Sequence, residues 1–421
     1  MNERLLIDVG RLGDKFYCQL SGKQDGGVIF DLDGISAASQ VSVLAGGTRI
    51  FEELCKNREV KKAIERALDG DAQPIYINAT SIPAQGVRWE SLWRGGQTGF
   101  VSLSPRSSVA RIAGTDTARN PATFSQPLRI LAVISARERP GQPEWNELLN
   151  AVQGAQQAGL SVQVHVVTGD AALYTALSTA PAVNWLTFAP VPDTIDGLTL
   201  EIEKFKPHIL HFFCHGQVDA GNAYLEIEGN VQELQLSIGK LTQVSGLENV
   251  WLVVLNSCLG GASLQGYPSM AYRIVSEGKV PFAIGATENV DVRDANRFTR
   301  AFYQRLLFSF GESVKAAAAN DVLTLEWRQA LNAARDAINA ANANTPETST
   351  EWILPILYEH RTRLQLIMPQ RQALGAAPPA GPDPAALRLR MARELLAALP
   401  PDTNEATKNQ LIAAILNQPN G

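Results

Sequence analysis

Two rhythms of apolar and polar positions divide this chain. In its first third, the short alternating runs RLLIDVG, KFYCQL, PIYINA and GFVSLS, separated by Gly-rich turns, predict half-buried strands. Ile50, Leu54, Val60, Ile64 and Leu68 recur near helical spacing, and Gly70 follows as a stop, so a helix is predicted between Thr48 and Leu68. This part is α+β in character.

From Leu128 the rhythm becomes one of solid apolar runs alternating with helical stretches. LRILAVI, LSVQVHVV, VNWLTFA, HILHFFC, NVWLVVLN and VPFAIGA read as strands, with helices between most of them, the first over about Glu144 to Ala158. Runs of Val, Ile and Leu flanked by helices are what a parallel sheet covered on both faces requires, so a doubly wound α/β core is predicted. AYLEIEG and VQELQLS predict a small hairpin inserted before NVWLVVLN. Two helical stretches, 292–309 and 312–342, follow VPFAIGA. The last run, EWILPILYEH, carries Pro355, which predicts an edge strand.

At GAAPPAGPDP the core gives way to a Pro-rich, semi-rigid linker. Beyond it, ALRLRMARELLAAL and NEATKNQLIAAIL predict two short amphipathic helices (apolar stripes Leu387, Met391, Leu395, Leu396, Leu399 and Leu411, Ile412, Ile415, Leu416) with Pro400, Pro401 and Asp402 between them. Such a pair cannot bury a substantial core alone, so it either docks back onto the main domain or binds an activator or adaptor protein.

At 421 residues the chain is nearly three times the ~150-residue unit of one domain, which leaves one large domain with an appendage, or two domains. With 45% apolar and 19% charged residues it reads as an ordinary folded protein. A net charge of −5 and the lack of any basic run disfavour a grip on nucleic acid. No apolar stretch nears the ~20 residues that span a bilayer, and MNERLLIDVGRLGDK lacks a signal-peptide core, so a cytoplasmic protein without membrane partners is expected. Four cysteines, Cys18, Cys55, Cys214 and Cys258, make neither a disulfide framework nor a Cys-x-x-Cys pair.

In open parallel sheets, reactive groups gather beyond the carboxyl ends of the strands. HILHFFC ends at His215-Gly216 and VWLVVLN ends at Ser257-Cys258. If those strands are neighbours, an imidazole and a thiol stand side by side, the minimal equipment for covalent attack on a carbonyl. Gly216, Gly260 and Gly261 leave room for a substrate backbone to approach the amides that would face an oxyanion. Cys18 and Cys55 read as core residues, and Cys214 points away from His215 because strand side chains alternate. A metal site built from His208, His211, Cys214 and His215 would need the two faces of one strand to converge, and no cofactor is expected. A nucleotide-binding reading lacks any Gly-x-Gly-x-x-Gly or Walker loop.

HILHFFCHG, VVLNSCLGG, VPFAIGATENVDVRDANRFTRAFYQRLL, the Ala-rich helix and EWILPILY together resemble the CHAT domain, a caspase- and separase-like family of cysteine peptidases. GVRWESLW resembles that family's Pro-Trp-Glu-x-Leu segment with Arg88 in place of the proline, and GFVSLSPRSSVAR resembles the strand and arginine that come after it. The resemblance spans roughly residues 1 to 370. It implies a caspase-like doubly wound, mostly parallel six-stranded sheet with helices on both faces. An α+β N-terminal part (1–125) would precede the catalytic core (126–370), the linker (371–384) and a helical tail (385–421). It further implies His215 as general base, Cys258 as nucleophile, and the backbone amides of Gly216 and Cys258 as an oxyanion hole. Separases receive a basic side chain on an acidic residue in the loop that corresponds to ATENVDVRDAN, so Glu288, Asp291 and Asp294 are candidates for binding a substrate Arg or Lys. Asp291 or Asp294 reads equally well as a cap of the next helix. The expected function is a regulated cysteine endopeptidase acting on a protein substrate, in the bacterial stress or defence setting common to the family. The alternative is a CHAT-like scaffold that binds partners without cutting.

Overall fold

The core of the fold is a single sheet in which two parallel blocks, one of them edged by two further antiparallel strands, meet at an antiparallel seam. The computed structural model describes residues 4–369, apart from 23–26, 70–72, 96–98, 105–106, 116–118, 220–221, 230, 259, 262–267, 279 and 344. The predicted linker and helical tail lie outside the described residues.

Five strands come from the N-terminal third: β1 (Leu5–Leu12), β2 (Lys15–Leu20), β3 (Val28–Phe30), β4 (Ile75–Ala79) and β5 (Val109–Ala113). After the short β6 (Ala122–Thr123) come β7 (Leu128–Ile134), β8 (Val162–Thr168), β9 (Leu186–Pro190) and β10 (Ile209–Phe213). β11 (His215–Asp219), β12 (Asn222–Glu228) and β13 (Glu233–Ser237) form a separate three-stranded antiparallel sheet. The last are β14 (Leu252–Leu255), β15 (Phe282–Ala286), β16 (Val322–Thr324), β17 (Pro355–His360) and β18 (Gln365–Ile367).

Twelve strands join in the order β3-β2-β1-β4-β5-β17-β15-β14-β10-β7-β8-β9. From β9 to β15 six strands are mutually parallel, the doubly wound block read from the sequence. β17 then runs antiparallel to β15 and parallel to β5, so the N-terminal strands extend the same sheet instead of packing on it from outside. Residues Met1–Pro369 form one compact unit around this sheet.

Both faces of the parallel block are buried, which explains its unbroken apolar runs. On β10, Ile209, His211 and Phe213 face the helices Gln142–Gln157 and Val292–Ala316, while Leu210, Phe212 and Cys214 face the helix Ile195–Phe205 and the β12–β13 hairpin. At the start of β10, His208 stacks on Trp251 with ring centroids 4.2 Å apart. Its Nδ1 accepts the Arg129 amide at 3.1 Å, and burial, aided by the nearby Arg129 charge, pushes its pKa down to about 3.

Four readings need correction. Pro355 does not mark an edge: β17 lies between β5 and β15, and the proline is tolerated because it is the strand's first residue. GFVSLS is no strand but leads into a 3-10 turn, Val101–Leu103, because Phe100 turns inward between Trp93 and Trp352 at 4.9 and 5.0 Å. The helix expected from Thr48 to Leu68 is two, Val43–Cys55 and Arg58–Asp69. Asn57 ends the first and caps the second, its Oδ1 accepting the amides of Glu59 and Val60. The later helices are Val292–Ala316 and Arg328–Ala341, interrupted where Asp321 accepts the Ala318 amide and the chain enters β16. Among the described residues no helix is long and apolar enough to cross a membrane.

Beside the seam, on its N-terminal side, charge holds β5 to the turns that precede it. Arg111 of β5 is 1% exposed and grips the equally buried Glu90 through two hydrogen bonds of 2.9 and 2.6 Å. It also donates to the Gln85 and Val87 carbonyls and lies 5.7 Å from the ring centre of its ladder neighbour Tyr358. Burial opposes the guanidinium charge, yet the Glu90 carboxylate more than offsets it, and the pKa rises above the ordinary value. This pairing unites the two segments, Trp-Glu and the later arginine, that the sequence placed in one family pattern.

Arg111→Met should therefore destabilise the protein by about 3–5 kcal/mol in denaturant unfolding, because it strands a buried carboxylate, and Arg111→Met with Glu90→Gln should lose less than the single change. His208 provides a pH dependence. Its folded pKa is depressed, so the unfolded chain binds a proton that the folded one rejects, and stability falls as pH drops from about 6.5 toward 3. Urea titrations at pH 7 and 4.5 should show wild type losing about 2 kcal/mol more than His208→Gln over that interval.

Candidate active site

The strand order makes His215 and Cys258 neighbours. β10 and β14 pair in parallel from Ile209↔Leu252 to Phe212↔Leu255, so the two chains leave the sheet side by side. Cys214 bends the chain and His215-Gly216 opens β11, while Asn256-Ser257-Cys258 turns off the end of β14. The two turns touch through their backbones: a Cβ on Gly216 would lie 1.9 Å from the Cys258 carbonyl oxygen. Only glycine permits that approach. Farther along the second turn, a Cβ on Gly285 of β15 would fall within 2.5 Å of the Gly260 carbonyl carbon, and the Gly261 amide donates to Ala286 at 2.6 Å. The cysteine turn is thus clasped between the histidine turn and β15.

The half-buried His215 makes one hydrogen bond that defines its chemistry. Its Nε2 lies 2.8 Å from the Arg137 carbonyl, in the loop after β7. A carbonyl only accepts, so Nε2 carries the hydrogen and Nδ1 is left as the basic nitrogen. The Arg137 side chain in turn reaches Glu233 of β13 at 3.8 Å.

Of the four thiols, Cys258 stands apart. Cys18 and Cys214 are buried, and Cys55 is half-buried. Burial pushes the pKa of Cys18 and of Cys55 up to about 11 and that of the Cys214 thiol higher still. Those three are held as inert thiols, whereas Cys258, half-buried like Cys55, stands at the strand end beside the histidine turn.

Beneath the cysteine turn lies a buried polar network that the sequence did not announce as a unit. The Asn256 amide donates to Glu144 Oε1 at 2.9 Å, to the Ala295 carbonyl at 3.1 Å and to Thr299 at 3.0 Å. Thr299 donates to the same Glu144 oxygen at 2.5 Å, and His211 Nε2 approaches it at 2.9 Å. The Tyr303 hydroxyl, its pKa raised well above the ordinary value by burial, bonds His211 Nδ1 at 3.1 Å. His211 thereby has a structural role, stapling β10 to two helices. The network anchors the residue two positions before Cys258.

The three acidic candidates all have partners within the chain. Glu288 pairs with Arg88, and its side chain remains 45% exposed. Asp291 caps the helix Val292–Ala316; hydrogen bonds from the Arg293 side chain and amide hold its carboxyl below the usual range. Asp294 is buried and pairs with Arg297 at 2.7 Å. Two contacts escaped the sequence reading. The Arg137 carbonyl is a backbone atom that any residue supplies, and Arg88–Glu288 joins positions two hundred residues apart. Asn256, a polar residue closing an apolar run, was the one available signal for the network.

The family model of the CHAT domain matches residues 49–345. None of the curated proteins searched matches the chain. Among solved structures, that of the Arg-specific cysteine proteinase gingipain R, RgpB, aligns with 76% of this chain and 69% of its own at 10% identity and a TM-score of 0.45. The complex of the RgpB pro- and mature domains from Porphyromonas gingivalis aligns with 76% of this chain and 70% of its own, again at 10% identity, with a TM-score of 0.44.

Asn256→Ala removes one of the two donors to Glu144 and the donor to Thr299, and it frees the cysteine turn. It should cost about 1–3 kcal/mol in unfolding free energy and slow labelling of Cys258 by a peptide electrophile, while the reactivity of Cys55 stays unchanged.

Proposed function

The chain belongs to the CHAT domain family, a cysteine-peptidase-like scaffold, and we propose that it is a working cysteine endopeptidase. The observation that carries this reading is the contact of Gly216 with the Cys258 carbonyl, which brings a basic imidazole and a partly exposed thiol to one rim of the sheet. In the reaction, Cys258 Sγ gives its proton to His215 Nδ1 and attacks the carbonyl carbon of the scissile peptide. The carbonyl π pair moves onto oxygen, where the amides of Gly216 and Cys258 receive the charge. Collapse of the tetrahedral adduct breaks the C–N bond, and the imidazolium proton passes to the departing amine. Water, deprotonated by His215, then hydrolyses the thioester and restores the thiol.

Of the acidic candidates, Glu288 best suits reception of a substrate Arg or Lys. Its side chain is the least committed to capping or burial, and it stands two residues beyond Ala286, which the cysteine turn touches. A cleaving enzyme of this kind would serve a regulated response such as bacterial stress or defence.

A panel of peptides varying the residue before the scissile bond should show cleavage after Arg and Lys, reduced at least tenfold by Glu288→Gln. Cys258→Ala and His215→Ala should lose cleavage by three orders of magnitude or more with unfolding free energies within about 1 kcal/mol of wild type. Selective labelling of Cys258 without cleavage of any peptide would favour the partner-binding scaffold instead.

A further inference from the structure

Arg88 stands between two environments. On one side its guanidinium pairs with Glu288, in the loop after β15. On the other it lines a cavity of about 450 Å³ together with Ser39, Gln40, Ser42, Thr348 and Thr350. No carboxylate lines this cavity, and Arg88 is its one charged lining residue. The side chains of Ser39, Gln40 and Thr350 have no hydrogen-bond partner among the described residues, so their donors remain available to a ligand. The last turn of the helix Leu32–Val41 and the first turn of the helix Val43–Cys55 meet at Ser42 in the wall, so the opposite ends of the two helix dipoles offset each other there. The wall beside Arg88 is rigid, because the Gln85 and Val87 carbonyls are both held by the buried Arg111.

We propose that this cavity binds a small phosphomonoester and that the ligand acts by drawing Arg88 away from Glu288. A guanidinium beside several hydroxyl and amide groups, its one carboxylate partner lying outside the lining, is a donor set that suits a phosphate and its attached polyol. The volume lies in the range of small-molecule sites. Arg88 in the unliganded protein occupies the carboxylate as a substrate's basic side chain would. Ligand binding exchanges that ion pair for a phosphate contact and leaves Glu288 open to substrate. The binding half of this inference stands by itself, whereas its effect on cleavage rests on the endopeptidase reading above.

The test uses the full chain, with adenosine 5′-monophosphate, inorganic phosphate and citrate as probes and adenosine as the uncharged control. Binding is measured calorimetrically and by melting temperature, in wild type and in the Cys258→Ala protein. The monophosphate at ten times its Kd should raise the melting temperature by about 2–4 °C in both proteins, with adenosine giving none. Arg88→Met and the cavity-filling Ser39→Trp should each abolish that shift. Arg-peptide cleavage should rise about fivefold with the monophosphate, and Arg88→Met should show that rise without ligand and no further response. If none of the probes binds wild type at 10 mM, or if Arg88→Met binds as well as wild type, the site assignment is wrong. Binding lost in both variants while cleavage is indifferent to ligand would overturn the exchange of Arg88. If no Arg-peptide is cut under any condition, the endopeptidase reading fails while the calorimetry still decides the site.

Discussion

One buried ion pair ties the N-terminal strands of this sheet to the turns that connect them. Glu90 comes from a short 3-10 turn in the N-terminal third, and Arg111 comes from the strand that meets β17 near the seam. Neither has water to solvate it, so each is tolerable only because the other is present. The guanidinium's remaining donors are spent on the Gln85 and Val87 carbonyls, which leaves little of its fork unsatisfied. A second buried arginine, Arg335, comes from the helix Arg328–Ala341 and donates to the Pro355 carbonyl of β17 at 2.8 Å. It lacks Arg111's carboxylate grip, and burial lowers its pKa to about 10. Strands β5 and β17 are therefore both held by buried arginines, but only Arg111 has a carboxylate hydrogen-bonded to it. That asymmetry puts the specifying burden on Glu90. The position of everything attached to its turn, Arg88 included, depends on it.

The parallel half solves a different problem, which is to bring a reactive turn to a strand end without losing its geometry. β14 is only four residues long and buried on both faces, so unaided it cannot fix the orientation of the cysteine turn at its end. Asn256 supplies the missing constraint. Its amide reaches into a cluster formed by two helices, and Glu144, in the first turn of one of them, receives hydrogen bonds from Asn256 and Thr299 on one oxygen, with His211 Nε2 2.9 Å away. A carboxylate there is favoured by the N-terminal end of its helix as well as by these donors. The site is thus supported from below by charge-assisted hydrogen bonds and clasped from the sides by glycine contacts.

Legibility in the sequence tracked these physical causes. The parallel block was readable because burial on both faces forces continuous apolar runs, and β7, β8, β10, β14 and β15 emerge where those runs were seen. His215 and Cys258 were readable because polar residues at the ends of such runs contradict the surrounding pattern. The continuity of β1, β4 and β5 with the main sheet was not, since which strands pair across long sequence separations leaves no periodic trace. Pro355 misled because a missing amide excludes proline from a ladder only where the amide is needed, and at a strand's first residue it is not. GFVSLS misled because its apolar residues serve an aromatic cluster with Trp93 and Trp352, which imitates alternation over a few positions.

The histidine's support bears on how such a site is controlled. Its partner is the Arg137 carbonyl, which fixes the tautomer but brings no full negative charge to stabilise an imidazolium. In the proposed reaction, proton transfer from the thiol would therefore receive no strong electrostatic push from that side. That reaction would draw instead on placement of the thiol, the proposed oxyanion amides and the substrate. All three depend on loops at the carboxyl edge of the sheet rather than on the strands themselves. The loop after β7 holds the imidazole, the loop after β14 holds the thiol, and the loop after β15 carries Glu288 on the arm of Arg88. Small displacements of these loops would change reactivity steeply while leaving the buried sheet untouched. A fold that invests its buried charges in anchoring loop bases, at Glu90 and at Glu144, keeps that sensitivity within bounds.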